Sequence, residues 1–245
     1  MATAPVQDQR RLLDVQAHDT RLQQLAHQRK SHPSLTTIAE LAGRIADLHG
    51  SLVDSRTAVA DLEREVTKAE ADVEQVRNRA ARDQQRLDSG ALSAKDSVAV
   101  MSELEALARR QSVLEDAELE VMERLEAHQK SLAEVEAAHG ELAAAREKAM
   151  EERDAAYAEI DAAAREVQAE RATAVDGLDG ALVGLYDKLR AQLGGLGAAA
   201  LRGNRCEGCR LELNPTDLAA ARNAPADQVV RCEECGRILV RSDDA

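Results

Sequence analysis

A run of apolar residues stepping alternately by three and four constrains this chain most. Ile38, Leu41, Ile45, Leu48, Leu52, Ser55, Val59, Leu62, Val66, Ala69, Val73, Val76, Ala80, Asp83 and Leu87 form one seam, and only Ser55 and Asp83 in it are polar. A sustained 3.5-residue period keeps a single stripe turned toward a partner helix and imposes left-handed supercoiling. Gly43 and Gly50 each cost such a helix about 1 kcal/mol relative to Ala, which a seam of this length outweighs.

The same chain offers a partner of matching length. Asp88-Ser-Gly90-Ala-Leu-Ser93 is a strong turn signal, with Ser93 as a candidate N-cap. A second seam follows through Val100, Leu104, Leu107, Gln111, Leu114, Val121, Leu125, His128, Leu132, Val135, His139 and Leu142, then fades into the Ala-rich stretch up to Ala174. With the turn centred near residue 91, antiparallel pairing sets Ser34 to Leu87 against Lys95 to Lys148. It also puts Arg77 and Arg79 near Glu103 and Glu105. A first helix over 5–30, ended by His32-Pro33-Ser34, matches the length left over at 152–177. The expected fold is therefore all-α, a long antiparallel coiled-coil hairpin over 1–177 with helices at about 5–30, 34–88 and 94–175 and its tip near 88–93. A connecting amphipathic helix is expected over 178–195, marked by Leu178, Leu182, Leu185, Leu189 and Leu193. Gly194-Gly195-Leu-Gly197 then acts as a helix stop and hinge.

Composition agrees and excludes much. Phe and Trp are absent and the only aromatic residues are Tyr157 and Tyr186, so the rings that anchor a compact core or stack nucleobases are missing. Ala, Leu, Glu and Arg with 4 Pro make the composition of long helices. A net charge of -13 opposes binding of a polyanion over the whole surface. With no apolar run long enough to span a bilayer and no signal-like start, the expected location is the cytoplasm, without membrane contact. The six histidines are scattered without a paired motif, and there is no nucleophile elbow or phosphate-binding loop, so the chain is not expected to be an enzyme.

All four cysteines lie in the last forty residues, as Cys206-Glu-Gly-Cys209 and Cys232-Glu-Glu-Cys235. Two thiolates separated by two residues grip one metal from a tight knuckle, and two knuckles complete the tetrahedral shell that Zn2+ accepts. The set Cys206, Cys209, Cys232 and Cys235 thus predicts one structural Zn2+ in a small zinc ribbon over 196–245. Val229-Val230 and Ile238-Leu239-Val240 are its candidate strands. Four sulfur ligands leave no coordination position for a reacting water. Cytosolic thiols stay reduced, which favours metal over disulfides. The ribbon carries seven Arg (202, 205, 210, 222, 231, 237, 241) and no Lys, against eight acids that include Asp243 and Asp244. Guanidinium forks suit phosphates and base edges, and Arg202, Arg205, Arg210 and Arg237 are the candidate contacts to nucleic acid or another partner.

Leu201-Arg202-Gly203 leading to the first knuckle, the run Cys232-Glu-Glu-Cys235-Gly-Arg-Ile-Leu239, and Leu114-Glu-Asp-Ala-Glu-Leu-Glu-Val-Met122 after the tip carry a resemblance. The chain resembles the bacterial C4-type zinc-ribbon proteins with an N-terminal coiled coil, a family of nucleic-acid- or protein-binding chains. That resemblance implies an adaptor of transcription or secretion machinery, with RNA binding also attributed to the family. Position 240 is Val where relatives often carry an aromatic, which argues against base stacking here. The resulting expectation is a non-enzymatic adaptor, monomer or weak dimer, that docks a protein partner through its coil or tip. The alternative is a nucleic-acid-binding protein acting through its ribbon.

Overall fold

The structure is a computed structural model that describes residues 2–241; Asp243 and Asp244 of the charge count lie outside them. Four helices come first: α1 (Val6–Lys30), α2 (Pro33–Asp88), α3 (Ala94–Val175) and α4 (Gly180–Gln192). The ribbon follows as β1 (Ala198–Arg202), β2 (Arg205–Cys206), α5 (Pro215–Asn223) and β3 (Ile238–Arg241). The fold is the expected helical hairpin with a small C-terminal ribbon, and its parts fall into two units, Thr36–Met150 and Met1–Leu35 with Glu151–Ala245. No helix among the described residues is long and apolar enough to cross a membrane.

In the first of these units α2 pairs antiparallel with the N-terminal part of α3. Every position of the α2 seam is buried or half-buried, with Leu52, Val59, Leu62 and Val73 the most enclosed on α2 and Val100 and Leu107 on the facing part of α3. Ser93 caps α3 through its Oγ, which accepts from the Asp96 amide at 3.2 Å. Ion pairs flank the seam. Arg79 meets Glu103 at 2.7 Å as expected, but Arg77 reaches Glu115 at 2.6 Å instead of Glu103 or Glu105, and Arg56 reaches Glu136 at 2.7 Å. The two flanks of an antiparallel coil are offset in register, so a single mirror sum describes only one of them. His128, expected on the seam, is exposed; its polar ring gains more from water than from a stripe that Leu125 and Leu132 already fill.

The second unit brings α1, the end of α3, α4 and the ribbon onto one core. The sheet order is β2-β1-β3, with β1 antiparallel to β2 and parallel to β3. Leu12 and Val15 of α1, Leu182, Tyr186 and Leu189 of α4, and Ala198, Ile238 and Val240 of the sheet form a single buried cluster. A boundary at residue 196 passes through this cluster: α4 is a packing element of the ribbon, and α1 covers the sheet. Ala198–Arg202 becomes a strand although its alanines favour helix, because pairing with β3 and burial beneath α1 override local propensity. Val229 and Val230 are not a strand. They bond singly, Val229 N–H to Ala2 O at 2.9 Å and Val230 O accepting from Leu239 N–H at 2.9 Å.

The glycine-rich turn after α4, read from the sequence as a helix stop and hinge, is hydrogen-bonded to α1. Gln16 Nε2 donates to Gly195 O at 3.1 Å, and Gln16 Oε1 accepts from Gly197 N–H at 2.7 Å. A Cβ at Gly197 would lie 2.7 Å from Tyr186 O and 2.9 Å from its ring, and a backbone carbonyl cannot move aside. Gly197→Ala is therefore expected to destabilise this unit by about 1–3 kcal/mol, read as a lower urea midpoint, whereas Gly43→Ala, which meets nothing, should stabilise its helix.

Candidate metal centre and ribbon surface

The two knuckles converge because each is tied to a strand. Cys206 ends β2, its amide donating to Leu211 O at 3.0 Å and its carbonyl accepting from Arg210 N–H at 2.7 Å. Cys232 donates to Arg237 O at 2.9 Å and accepts from Gly236 N–H at 2.8 Å, which hands the second knuckle directly to β3. All four Sγ atoms lie within 4.8 Å of one another, with Cys206 and Cys235 3.9 Å apart and Cys209 and Cys232 4.0 Å apart. A regular tetrahedron of sulfurs about 2.3 Å from zinc has edges of roughly 3.8 Å, so the donor set fits Zn2+ in number, chemistry and spacing. The four free thiols split into two buried, Cys206 and Cys232, and two half-exposed, Cys209 and Cys235.

Burial pushes the Cys232 thiol up to about 12 and raises Cys206 as well, while knuckle amides such as those of Gly208 and Glu234 donate to the sulfurs and act the other way. Burial acts upward on Cys235 most strongly of any single cause, but hydrogen bonds from the Arg237 amide and side chain, together with those of the Cys232 and Cys209 thiols, outweigh it and bring that thiol down to about 7. The first knuckle closes tightly because Gly208 has no side chain: a Cβ there would lie 2.9 Å from Ala199 Cβ and from Arg237 Cδ.

The seven arginines of the ribbon divide into two groups. Arg241 donates to the carbonyls of Ala221, Ala224, Pro225, Ala226 and Gln228, Arg222 to Gly203 O, and Arg231 to Gly236 O. Arg237 is a structural arginine of the same kind. Its Nε donates to Leu196 O at 3.0 Å and its NH2 to Leu193 O at 3.2 Å, fastening the second knuckle to the end of α4. Of the four candidate contacts it is thus the one whose guanidinium is hydrogen-bonded within the fold.

Arg202, Arg205 and Arg210 are exposed and make no side-chain bond among the described residues. Arg202 and Arg205 are cross-strand partners beside a turn with positive φ at Gly203. Like charges placed directly opposite destabilise a strand pair. Arg210 follows the second cysteine of its knuckle as Gly236 does in the other, and it holds the left-handed conformation, φ 61, that Gly236 takes at φ 74. Leu211 beside it is 52% exposed.

Sequence reasoning missed the polar centre that ties the ribbon to the helices. Asp19, 1% exposed, accepts from Arg171 Nε at 2.7 Å, Arg190 NH1 at 2.8 Å and Tyr186 Oη at 2.7 Å. Burial, and then the bond to Asp19, hold the Tyr186 phenol far above its ordinary range. No local signal marks these residues, because Asp19 on α1 lies more than 150 positions along the chain from its partners on α3 and α4.

Comparison with known proteins agrees with this geometry. A model of the CT398-like coiled coil hairpin domain matches residues 15–194 and one of the C4-type zinc ribbon domain matches 205–239. An uncharacterized protein of Mycobacterium tuberculosis is 38% identical over 97% of both chains, and another of Mycobacterium leprae is 30% identical over 90% of this chain and 94% of its own. A solved structure from Mycobacterium smegmatis, 38% identical, superposes with a TM-score of 0.85 over 98% of this chain and all of its own. CT398 from Chlamydia trachomatis shares the fold with a TM-score of 0.66 over 96% of this chain and 98% of its own, at 17% identity. With the hairpin, the four-cysteine ribbon and close bacterial relatives in agreement, the chain belongs to the CT398-like coiled-coil hairpin family and carries a C4-type zinc ribbon.

Proposed function

We propose that this chain is a non-enzymatic cytoplasmic adaptor in which one structural Zn2+, held by Cys206, Cys209, Cys232 and Cys235, fixes a docking surface for protein partners in transcription- or secretion-related complexes. The observation that carries this reading is the closed four-thiol cluster: a metal with four sulfur ligands has no position for substrate or activated water, so it serves to hold loops. What it holds is accessible. A groove of about 520 Å3 lined by Ala221, Ala224, Val229 and Val230 opens beside α5, and Leu211 stands exposed next to the first knuckle. The paired helices α2 and α3 add long helical faces of the kind that partner helices recognise. Crosslinking of the zinc-loaded full chain in lysate, followed by mass spectrometry, tests it. The same proteins should be captured repeatedly, and capture should fall in Leu211→Asp or in the zinc-free chain. Capture insensitive to both would refute a zinc-set surface.

The unpaired Arg202, Arg205 and Arg210 favour a second reading, a local nucleic-acid contact. Their triple replacement by Ala, leaving Arg237 in place, is expected to abolish any salt-dependent binding of mixed RNA or DNA without lowering thermal stability, since it also removes the like-charge pair Arg202–Arg205. A titration at two salt concentrations checks this. No binding by the parent chain at low salt would eliminate this reading.

A further inference from the structure

Arg237, two residues beyond the last cysteine, touches both knuckles and the end of α4. Its carbonyl accepts from the Cys232 amide at 2.9 Å, and its own amide and side chain donate to the Cys235 sulfur. Its Cδ lies over Gly208 of the first knuckle, 2.9 Å from where a Cβ would stand. Its guanidinium ends on Leu196 O at 3.0 Å and Leu193 O at 3.2 Å. Leu193 is the C-cap of α4, so that carbonyl belongs to the negative end of a helix, where intrahelical donors have run out. Arg231 offers a contrast: its Nε donates to Gly236 O at 2.7 Å, beside the same knuckle but away from α4.

We infer that Arg237 is a positioning residue for the metal: by fixing the second knuckle, the face of the first and the end of α4 in one arrangement, it tightens Zn2+ binding at the four cysteines and links that binding to the stability of α4. Cysteines hold zinc as thiolates, and four of them outweigh the charge of the ion and leave the loaded site negative. The guanidinium then stands between two negative groups, the sulfur cluster and the C-terminus of α4, and its charge-assisted hydrogen bonds stabilise both. A planar fork suits this place because its N–H groups point in several fixed directions, whereas Lys carries its charge at a single point. Residues that orient metal ligands from outside the ligand set typically change affinity about 10–100-fold. Arg237 has this role only if the four cysteines hold Zn2+, as proposed above.

Zinc affinity of the full chain, measured by competition with a chromophoric chelator, tests it together with the absorption spectrum of the Co2+-loaded chain. Arg237→Gln is expected to weaken zinc binding at least about tenfold, Arg237→Lys to recover part of that loss, and Arg231→Gln to leave affinity unchanged. At saturating Co2+ the sulfur-to-metal charge-transfer bands should shift in Arg237→Gln but not in Arg231→Gln, because of these two arginines it is Arg237 that donates to a ligand sulfur. Zinc should also raise the urea midpoint of Tyr186 fluorescence, read in a Tyr157→Phe background, by less in Arg237→Gln than in the parent. A parent chain without the spectrum of tetrahedral Co2+ bound by four thiolates would refute the zinc reading itself. With that spectrum present, equal affinities in the parent and Arg237→Gln would overturn the role of Arg237 alone, as would an equal loss in Arg231→Gln. Lower affinity with unmoved bands would overturn it too, reducing Arg237 to packing, and an equal rise at Tyr186 in the two chains would break the link to α4.

Discussion

Removing zinc with a chelator, or replacing Cys232 by Ser, should dissolve the order of β1, β2, β3 and α5 while residues 36–150 stay helical. The ribbon's own core is small. Leu201, Leu213, Ala221 and Leu239 surround the cysteines with no large ring among them, so metal binding, worth on the order of 10–16 kcal/mol at structural zinc sites, has to supply most of the ordering. The consequence does not end at the ribbon, because Ile238 and Val240 share their cluster with Leu12, Val15, Leu182 and Tyr186. With β3 loose, α4 loses the surface it packs on, and the N-terminal half of α1 loses its cover. Hydrogen exchange on the zinc-loaded and zinc-free chains reads this by segment. Protection should fall through 198–241 and α4, fall partly in α1, and hold across α2 and the paired part of α3. Loss of protection across 36–150 would show that the two units fold as one. Unchanged protection in β3 would show that the metal is not what orders the ribbon.

What could be read from the sequence were the features that repeat or cluster along it. The α2 seam needs only its period, and all fifteen of its positions are at least half-buried. Four cysteines in paired knuckles state their own chemistry, and the turn at 88–93 is announced by Gly90 and Ser93. The ribbon's attachment was hidden because its residues carry a different local meaning. Gln16 and Asp19 look like the polar face of a surface helix, yet both are buried and face α4 and the glycine turn. Arg237 reads as a free cation until its carbonyl partners, more than 40 residues away, are known. Ala198–Ala200 carry no strand signal of their own and become β1 only where β3 lies beside them. In each case the deciding contact is distant in sequence, where neither period nor propensity reaches.

Asp19→Ala is expected to cost the second unit about 3 kcal/mol. The carboxylate lies under α4 at 1% exposure and is the common acceptor of two guanidinium groups and a phenol. Removing one partner from a buried charge cluster costs about 3–5 kcal/mol because the others stay desolvated and unpaired. Arg171 and Arg190 retain side-chain exposures of 23% and 33% and recover some hydration, which places the effect at the low end. Asp19→Asn keeps the shape and an acceptor for Tyr186 and should cost less. Asp14→Ala, at an exposed position of the same helix, should stay within about 0.5 kcal/mol of the parent. Tyrosine fluorescence isolates the local event. In a Tyr157→Phe background Tyr186 is the only tyrosine and there is no tryptophan, so its urea transition reports the contact between α1 and α4 directly. The pH dependence has a definite sign. The folded state holds the Tyr186 proton more tightly than the unfolded chain, through burial first and the Asp19 bond second. That contribution is complete below tyrosine's ordinary value near 10 and is lost as pH rises beyond it. Alkaline destabilisation should therefore be weaker in Asp19→Ala than in the parent, because one of the two causes is gone. An equal response to alkali in both would show that burial alone holds the phenol, and an unshifted urea transition in Asp19→Ala would show that the helices are joined by their apolar contacts without help from this cluster.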